Sequence, residues 1–157
     1  MSYYTQNEVS RATGRVWIGS KPPCGEKLHK NWNTLILAAE EYQPDADCFK
    51  DIDIVYAPLD DSGKPMTEKE KVIAKHAGII VAGKISKFET ILSTCMAGLN
   101  RSTLIAGLGL LYSGTIRDPN EIITKMRKAR GEWAFSNPYF EDFIKQEARS
   151  LELNFWR

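Results

Sequence analysis

The stretch FETILSTCMAGLNRSTLIAGLGLLYSG, residues 88–114, constrains the fold more than any other part of the chain. It opens with a short apolar run that suits a buried strand. It closes with an apolar run of helical length, even though Gly107 and Gly109 each cost about 1 kcal/mol against alanine in a helix. Between the two lies a loop of small and polar residues. A strand that turns directly into a helix is the repeating unit of α/β domains.

The other segments extend this pattern. GRVWIGS reads as a short strand ending at Gly19, PPCGE as a turn, and NTLILAAE as a buried strand. DIDIVYAPLDD alternates, then breaks at Pro58 and feeds a loop. MTEKEKVIAKHAGIIVAGK places Thr67 and Glu70 at capping-box spacing and carries Val72, Ile73, His76, Ile79, Ile80 and Gly83 on one helical face. DPNEIITKMRKARG is a helix stopped at Gly131. NPYFEDFIKQEARSLELNF starts with Asn137 as cap and Pro138 in the first turn, with Phe140, Phe143, Ile144, Ala148, Leu151 and Phe155 at helical spacing. Strands alternate with helices early, and helices dominate late. The expectation is one α/β domain over residues 1–157, a central, mostly parallel sheet flanked by helices.

With 157 residues and a net charge of +1, the chain has no bulk basicity to attract nucleic acid, so any preference for an anion must come from a local site. The N-terminal residues carry no apolar core, so no signal peptide is expected. The longest apolar run, Leu104 to Tyr112, is too short to cross a bilayer. Cys24, Cys48 and Cys95 lie far apart without metal-ligand spacing. That pattern predicts free thiols in a reducing cytoplasm, with Cys24 and Cys48 as small buried hydrophobes. No metal, cofactor, membrane or nucleic-acid partner is expected, and the chain is expected to be a monomer.

Cys95 differs from the other two cysteines. It follows a strand, precedes the loop Met96-Ala97-Gly98-Leu99-Asn100, and is followed by Arg101 and Ser102 at the start of a helix. Such a loop points backbone N–H groups inward, and the helix N-terminus adds partial positive charge, so a dianion is accommodated there. Gly98 permits the curl. Arg101 offers a planar fork of donors to phosphate oxygens. The same positive field favours the nucleophilic thiolate, and Ser102 can donate a hydroxyl hydrogen bond to the sulfur. Asn100 is a further candidate for holding the loop.

CMAGLNRS resembles the signature loop of the cysteine-based protein tyrosine phosphatases, in particular their dual-specificity branch. GRVWIGSKPP and LILAAEEYQP are similar to that family's first two strands, and IDIVYAPLDDSGKPM to the strand and loop carrying its general acid. RKARGEWAFSNPYFEDFI is similar to its C-terminal helical pair, so the resemblance spans roughly Gly14 to Phe143. It implies a phosphomonoester hydrolase acting through a phosphocysteine, with a shallow site for phosphotyrosine, phosphoserine or phosphothreonine on a protein substrate. It implies Cys95 as nucleophile, residues 95–101 as the phosphate-binding loop, and an upstream aspartate as general acid. The position relative to Pro58 and Ser62 favours Asp61, with Asp60 as the alternative. One of the two is then an ordinary turn aspartate beside Gly63. The family usually has histidine before the cysteine to brace the loop, and this chain has Thr94.

Other readings compete. Low-molecular-weight phosphatases share Cys-x5-Arg-Ser and have an Asp-Pro acid, and Asp118-Pro119 matches that pair here, but their cysteine lies near the N-terminus. Sulfurtransferases of the rhodanese type have a cysteine loop without needing the aspartate. RNA 5′-triphosphatases and phosphoinositide phosphatases share the fold, and the former can carry asparagine where Asn100 stands. A non-catalytic phosphate-binding pseudophosphatase is the remaining alternative. His76 reads as a half-buried helix residue and His29 as partnerless. KMRKAR reads as a solvated helix face, and Trp133, Phe135, Tyr139 and Phe140 read as core and helix staple.

Overall fold

The structure, a computed structural model, describes residues 8–25, 28 and 32–154. His29 and Phe155 lie outside these residues. The described chain forms β1 (Val9–Thr13), β2 (Val16–Gly19), β3 (Thr34–Ala39), β4 (Asp53–Leu59), α1 (Glu68–Ser86), β5 (Ile91–Thr94), α2 (Arg101–Tyr112), α3 (Pro119–Arg130) and α4 (Pro138–Asn154). The strands make one sheet in the order β1-β2-β5-β3-β4. β1 pairs antiparallel with β2 through the two-residue turn Gly14-Arg15, where Gly14 has φ +53°. β2, β5, β3 and β4 are mutually parallel. The expected mostly parallel α/β sheet is present. The β1 strand was not legible, because Val9 is its one strongly apolar residue.

Side chains alternate across the sheet as the pleat requires. Val16, Ile18, Ile36, Ala38 and Ile91 face one core with the buried residues of all four α-helices. Leu35, Leu37 and Leu92 face a second, smaller core with Val9, Trp32 and Phe49, to which α1–α4 contribute nothing. Among the described residues the helices therefore cover one face, and irregular segments cover the other.

Those segments are joined by a disulfide between Cys24 and Cys48, 24 residues apart in sequence. This corrects the expectation of three free thiols. Cys24 is exposed and Cys48 half-buried, so neither is a buried hydrophobe. Cys24 lies in a turn and Cys48 ends a single 3₁₀ turn, Ala46–Cys48, both over the face that α1–α4 leave uncovered, a proximity that only the fold creates. Closing a loop of this length stabilises a fold by about 3 kcal/mol in the chain-entropy view. Cys95 is the free cysteine, and it is buried.

Two local expectations also change. β4 runs through Pro58 to Leu59 instead of breaking there. It is the outer strand of the sheet, and its register against β3 slips by one residue between the pairs Leu37–Tyr56 and Ala39–Leu59. A bulged edge strand can lose one N–H donor without orphaning a ladder partner. In α1 the capping box of Thr67 and Glu70 forms as expected. The buried side, however, is Ala74, Ala77, Gly78, Val81 and Ala82, while Val72 and Ile79 are 65% and 61% exposed and His76 is exposed. Close approach to α2 selects this side. A Cβ on Gly78 would lie 2.7 Å from Leu108 Cβ, and one on Gly109 only 2.2 Å from Val81 Cγ1. Large residues do not fit between helices that close. The cost of glycine inside α2 is offset by this packing.

Candidate active site

All four parallel strands end at the same edge, and their next residues build the site. β2 leads to Ser20 and Lys21, β5 to Cys95, β3 to Glu40 and Glu41, and β4 to Asp60 and Asp61. This carboxyl edge is where open parallel sheets place ligands.

The loop from Cys95 to Arg101 curls over that edge with its carbonyls turned outward. Met96 O accepts from Lys21 N–H at 3.1 Å, and Ala97 O and Gly98 O from Arg130 at 2.8 and 3.2 Å. Leu99 O accepts from Phe135 N–H at 2.9 Å and Thr103 Oγ1 at 2.7 Å. In a trans peptide the next N–H points opposite to the carbonyl. The N–H groups of Ala97, Gly98, Leu99 and Asn100 therefore face the inside of the curl. Gly98 has φ +71°, and a Cβ there would lie 2.8 Å from the Gly19 carbonyl and from Arg130. Only glycine meets both constraints.

Cys95 closes the base of the curl at 5% exposure, with its Sγ 3.3 Å from Ser102 Oγ. Thr94 does not reach the loop. Its hydroxyl donates to Ile36 O at 2.6 Å, bracing β5 against β3 instead.

Arg101 is 5% exposed and is gripped by Glu41, Nη1 donating to Oε2 at 2.5 Å and Nη2 to Oε1 at 2.6 Å. Nη1 also donates to Leu59 O at 3.0 Å. The guanidinium has five N–H donors, and these bonds use three. Nε is buried without a protein partner. Nε–H and the remaining Nη2–H lie on one edge of the plane, so a carboxylate holds one edge and the other is left for an oxyanion. Burial disfavours the Arg101 cation, but Glu41, Cys95 and Asp61 outweigh it and hold its proton affinity above the ordinary value. The hydrogen bond from Arg101 holds Glu41 below the usual carboxylate range against the opposing effect of burial.

The two aspartates part company. Asp60 folds back on its own turn, accepting from Ser62 N–H at 3.1 Å and Ser62 Oγ at 2.5 Å. Asp61 reaches the loop and accepts from Asn100 Nδ2 at 3.2 Å and Asn137 Nδ2 at 2.8 Å. Asp118 caps α3 by accepting from Asn120 N–H at 2.9 Å, so the Asp118-Pro119 pair is a helix start.

Sequence reasoning missed two groups here. Glu41 was unremarked. A buried arginine demands a carboxylate partner, and the glutamate pair Glu40-Glu41 just after a fully buried strand was the available signal. The KMRKAR run is not a solvated face. Arg130 holds loop carbonyls, Arg127 Nε donates to Ala134 O at 3.0 Å, and Met126 is buried. Of the aromatic set, Phe135 and Phe140 are core, whereas Trp133 is 66% and Tyr139 38% exposed. Among the described residues no group of three or more histidine, cysteine, aspartate or glutamate side chains gathers as a metal site, and no helix is long and apolar enough to cross a membrane.

No protein-family model matches the chain. No curated protein matches it either. Solved structures do. The chain is similar to Tk-PTP in its active form, at 15% identity over 92% of this chain and 99% of that one, with a TM-score of 0.73. It is similar to human DUSP28 at 13% identity over 96% and 99%, with a TM-score of 0.72. A mouse putative dual specificity phosphatase complexed with zinc tungstate is similar at 12% identity over 98% and 94%, with a TM-score of 0.74. The strand order, the curled loop at the carboxyl edge and these likenesses lead to one conclusion: the chain has the fold of the tyrosine and dual-specificity phosphatases.

Proposed function

We propose that this protein is a cysteine-dependent phosphomonoester hydrolase acting on phosphorylated tyrosine, serine or threonine side chains of proteins. The observation that carries the reading is the curl over Cys95, four inward N–H groups meeting the open edge of Arg101 at the end of a helix. That arrangement suits the equatorial oxygens of a phosphoryl group and places its phosphorus before the sulfur. In the first step the Cys95 sulfur bonds to phosphorus as the ester P–O bond breaks, and Asp61 gives its proton to the leaving oxygen. In the second, water bonds to phosphorus, its proton returns to Asp61, and the S–P bond breaks, with the Ser102 hydroxyl stabilising the departing sulfur.

The test is phosphate release from 4-nitrophenyl phosphate, then from phosphotyrosine and phosphothreonine peptides. Turnover should survive a chelator, because Arg101 and the loop amides supply the charge stabilisation a metal would supply. A protein that binds phosphate but releases none from any substrate would be the pseudophosphatase instead. Turnover of inositol lipids or RNA triphosphate alone would redirect the substrate assignment.

A further inference from the structure

We propose that Asn137, acting together with Asn100, is a positioning residue for the proton-transferring carboxyl of Asp61, tying the aspartate loop to the phosphate loop. The proposal rests on the role given to Asp61 above. Asn137 sits at the start of α4 and is 6% exposed. Its Oδ1 accepts from Tyr139 N–H at 3.0 Å. A backbone N–H only donates, so the oxygen end is fixed there and the Nδ2 end must face Asp61, 2.8 Å from Oδ1. Asn100 is oriented in the same way. Its Oδ1 accepts from Asn137 N–H at 2.9 Å, which turns its Nδ2 to Asp61 Oδ2 at 3.2 Å and Ser136 Oγ at 3.3 Å. Both carboxyl oxygens are thus located by amides whose own orientation the backbone dictates.

Helix capping accounts for only half of Asn137. Asparagine, aspartate and serine cap about equally well, and capping uses the side-chain oxygen alone. The Nδ2 group is superfluous to the helix, and aspartate in its place would set carboxylate against carboxylate. The link also has reach. It joins residues 76 apart in sequence, and Asn100 directly precedes Arg101. The carboxyl and the guanidinium are therefore registered on one frame.

The experiment uses full-length Asn137→Asp, Asn137→Ser, Asp61→Asn and the double variant Asp61→Asn/Asn137→Asp. Each is assayed on phenyl phosphate, a poor leaving group, and 4-nitrophenyl phosphate, a good one, with thermal unfolding alongside. Asn137→Asp keeps the cap but sets a second carboxylate against Asp61, so its unfolding midpoint should fall at neutral pH and recover in the double variant, where an amide again faces a carboxylate. The kcat of Asn137→Asp on phenyl phosphate should fall about tenfold or more with KM within about twofold, and far less on 4-nitrophenyl phosphate. In the double variant it should add no loss beyond Asp61→Asn, since both act through one group. Asn137→Ser, which caps and still offers a hydroxyl donor, should recover part of the rate. Equal losses on both substrates, multiplying losses in the double variant, or no loss at all would overturn the proposal alone, provided Asp61→Asn is leaving-group dependent. An Asp61→Asn variant without that dependence would overturn the role of Asp61 and this proposal together.

Discussion

The two loops that meet at the site are built in opposite ways. The loop after β5 is held by its own backbone, four successive carbonyls each taken by a donor behind them, with its ends in a buried strand and a buried helix. The loop after β4 is exposed from Ser62 to Pro65 and is pinned by side chains at its first two residues. Asp60 N–H donates to Glu70 Oε2 at 3.1 Å, and Asp61 is held by the two asparagines. A backbone-held loop needs a particular local sequence, so its motif is visible. A side-chain-held loop takes its position from distant residues, so in the sequence its key aspartate is favoured over its neighbour only by spacing from Pro58 and Ser62, and the partners that single it out meet only in the fold.

The largest way to break this contrast is Gly98→Ala. A side chain at φ +71° is strained, and the Gly19 carbonyl 2.8 Å away cannot yield without moving β2. We expect a stability loss of about 2 kcal/mol and a fall in kcat of about 10²-fold, because displaced amides no longer meet the transition state. Wild-type kinetics in this variant would show that the curl is not backbone-determined.

Next in size is Arg130→Met, which keeps the packing stem and removes the donors to Ala97 O and Gly98 O. A charge-assisted hydrogen bond contributes about 1.5–3 kcal/mol, and part of that should reappear as an approximately tenfold weaker inhibition by inorganic phosphate. An unchanged inhibition constant would mean that the curl holds without its outer brace.

A smaller effect is expected from Glu41→Gln, read as unfolding temperature against pH. Because the folded-state proton affinity of Glu41 is depressed by Arg101, its contribution is present above the ordinary glutamate range and is lost as pH falls through the folded value. The wild-type advantage should therefore be full at neutral pH and shrink below about pH 4.3. It should be modest throughout, since the Glu41 side chain is 46% exposed and screened by solvent. A pH-independent difference would contradict the ion-pair account.

The smallest effect belongs to Asp60→Asn, which touches only the turn at Ser62. We expect kcat within about threefold of wild type on good and poor leaving groups alike, against a general-acid contribution of about 10²–10⁴-fold. A leaving-group-dependent loss there would move the acid one residue back.

How much could be read in advance follows the same division. Strand β5, the curl and helix α2 were legible because periodicity, glycine and capping all act within a few residues. The capping box at Thr67 and the stop at Gly131 were legible for the same reason. The buried side of α1 was not. Hydrophobic spacing points to Val72 and Ile79, but the close helix–helix approach selects the side of Ala74, Ala77, Gly78, Val81 and Ala82. Pro58 reads as a strand end because nothing local says that β4 lies at the sheet edge. Glu41, Arg130 and the Cys24–Cys48 bond act across tens of residues, and only chain folding brings their partners together.

In the proposed reaction Cys95 is the group that takes the phosphoryl. The direct measurement is rapid acid quench of the protein turning over phosphorus-labelled phenyl phosphate, followed by peptide mapping of the label. Label on the peptide containing Cys95 in wild type, absent in Cys95→Ser together with all turnover, is the result predicted. Turnover that persists in Cys95→Ser, or label carried by any other residue, would contradict it.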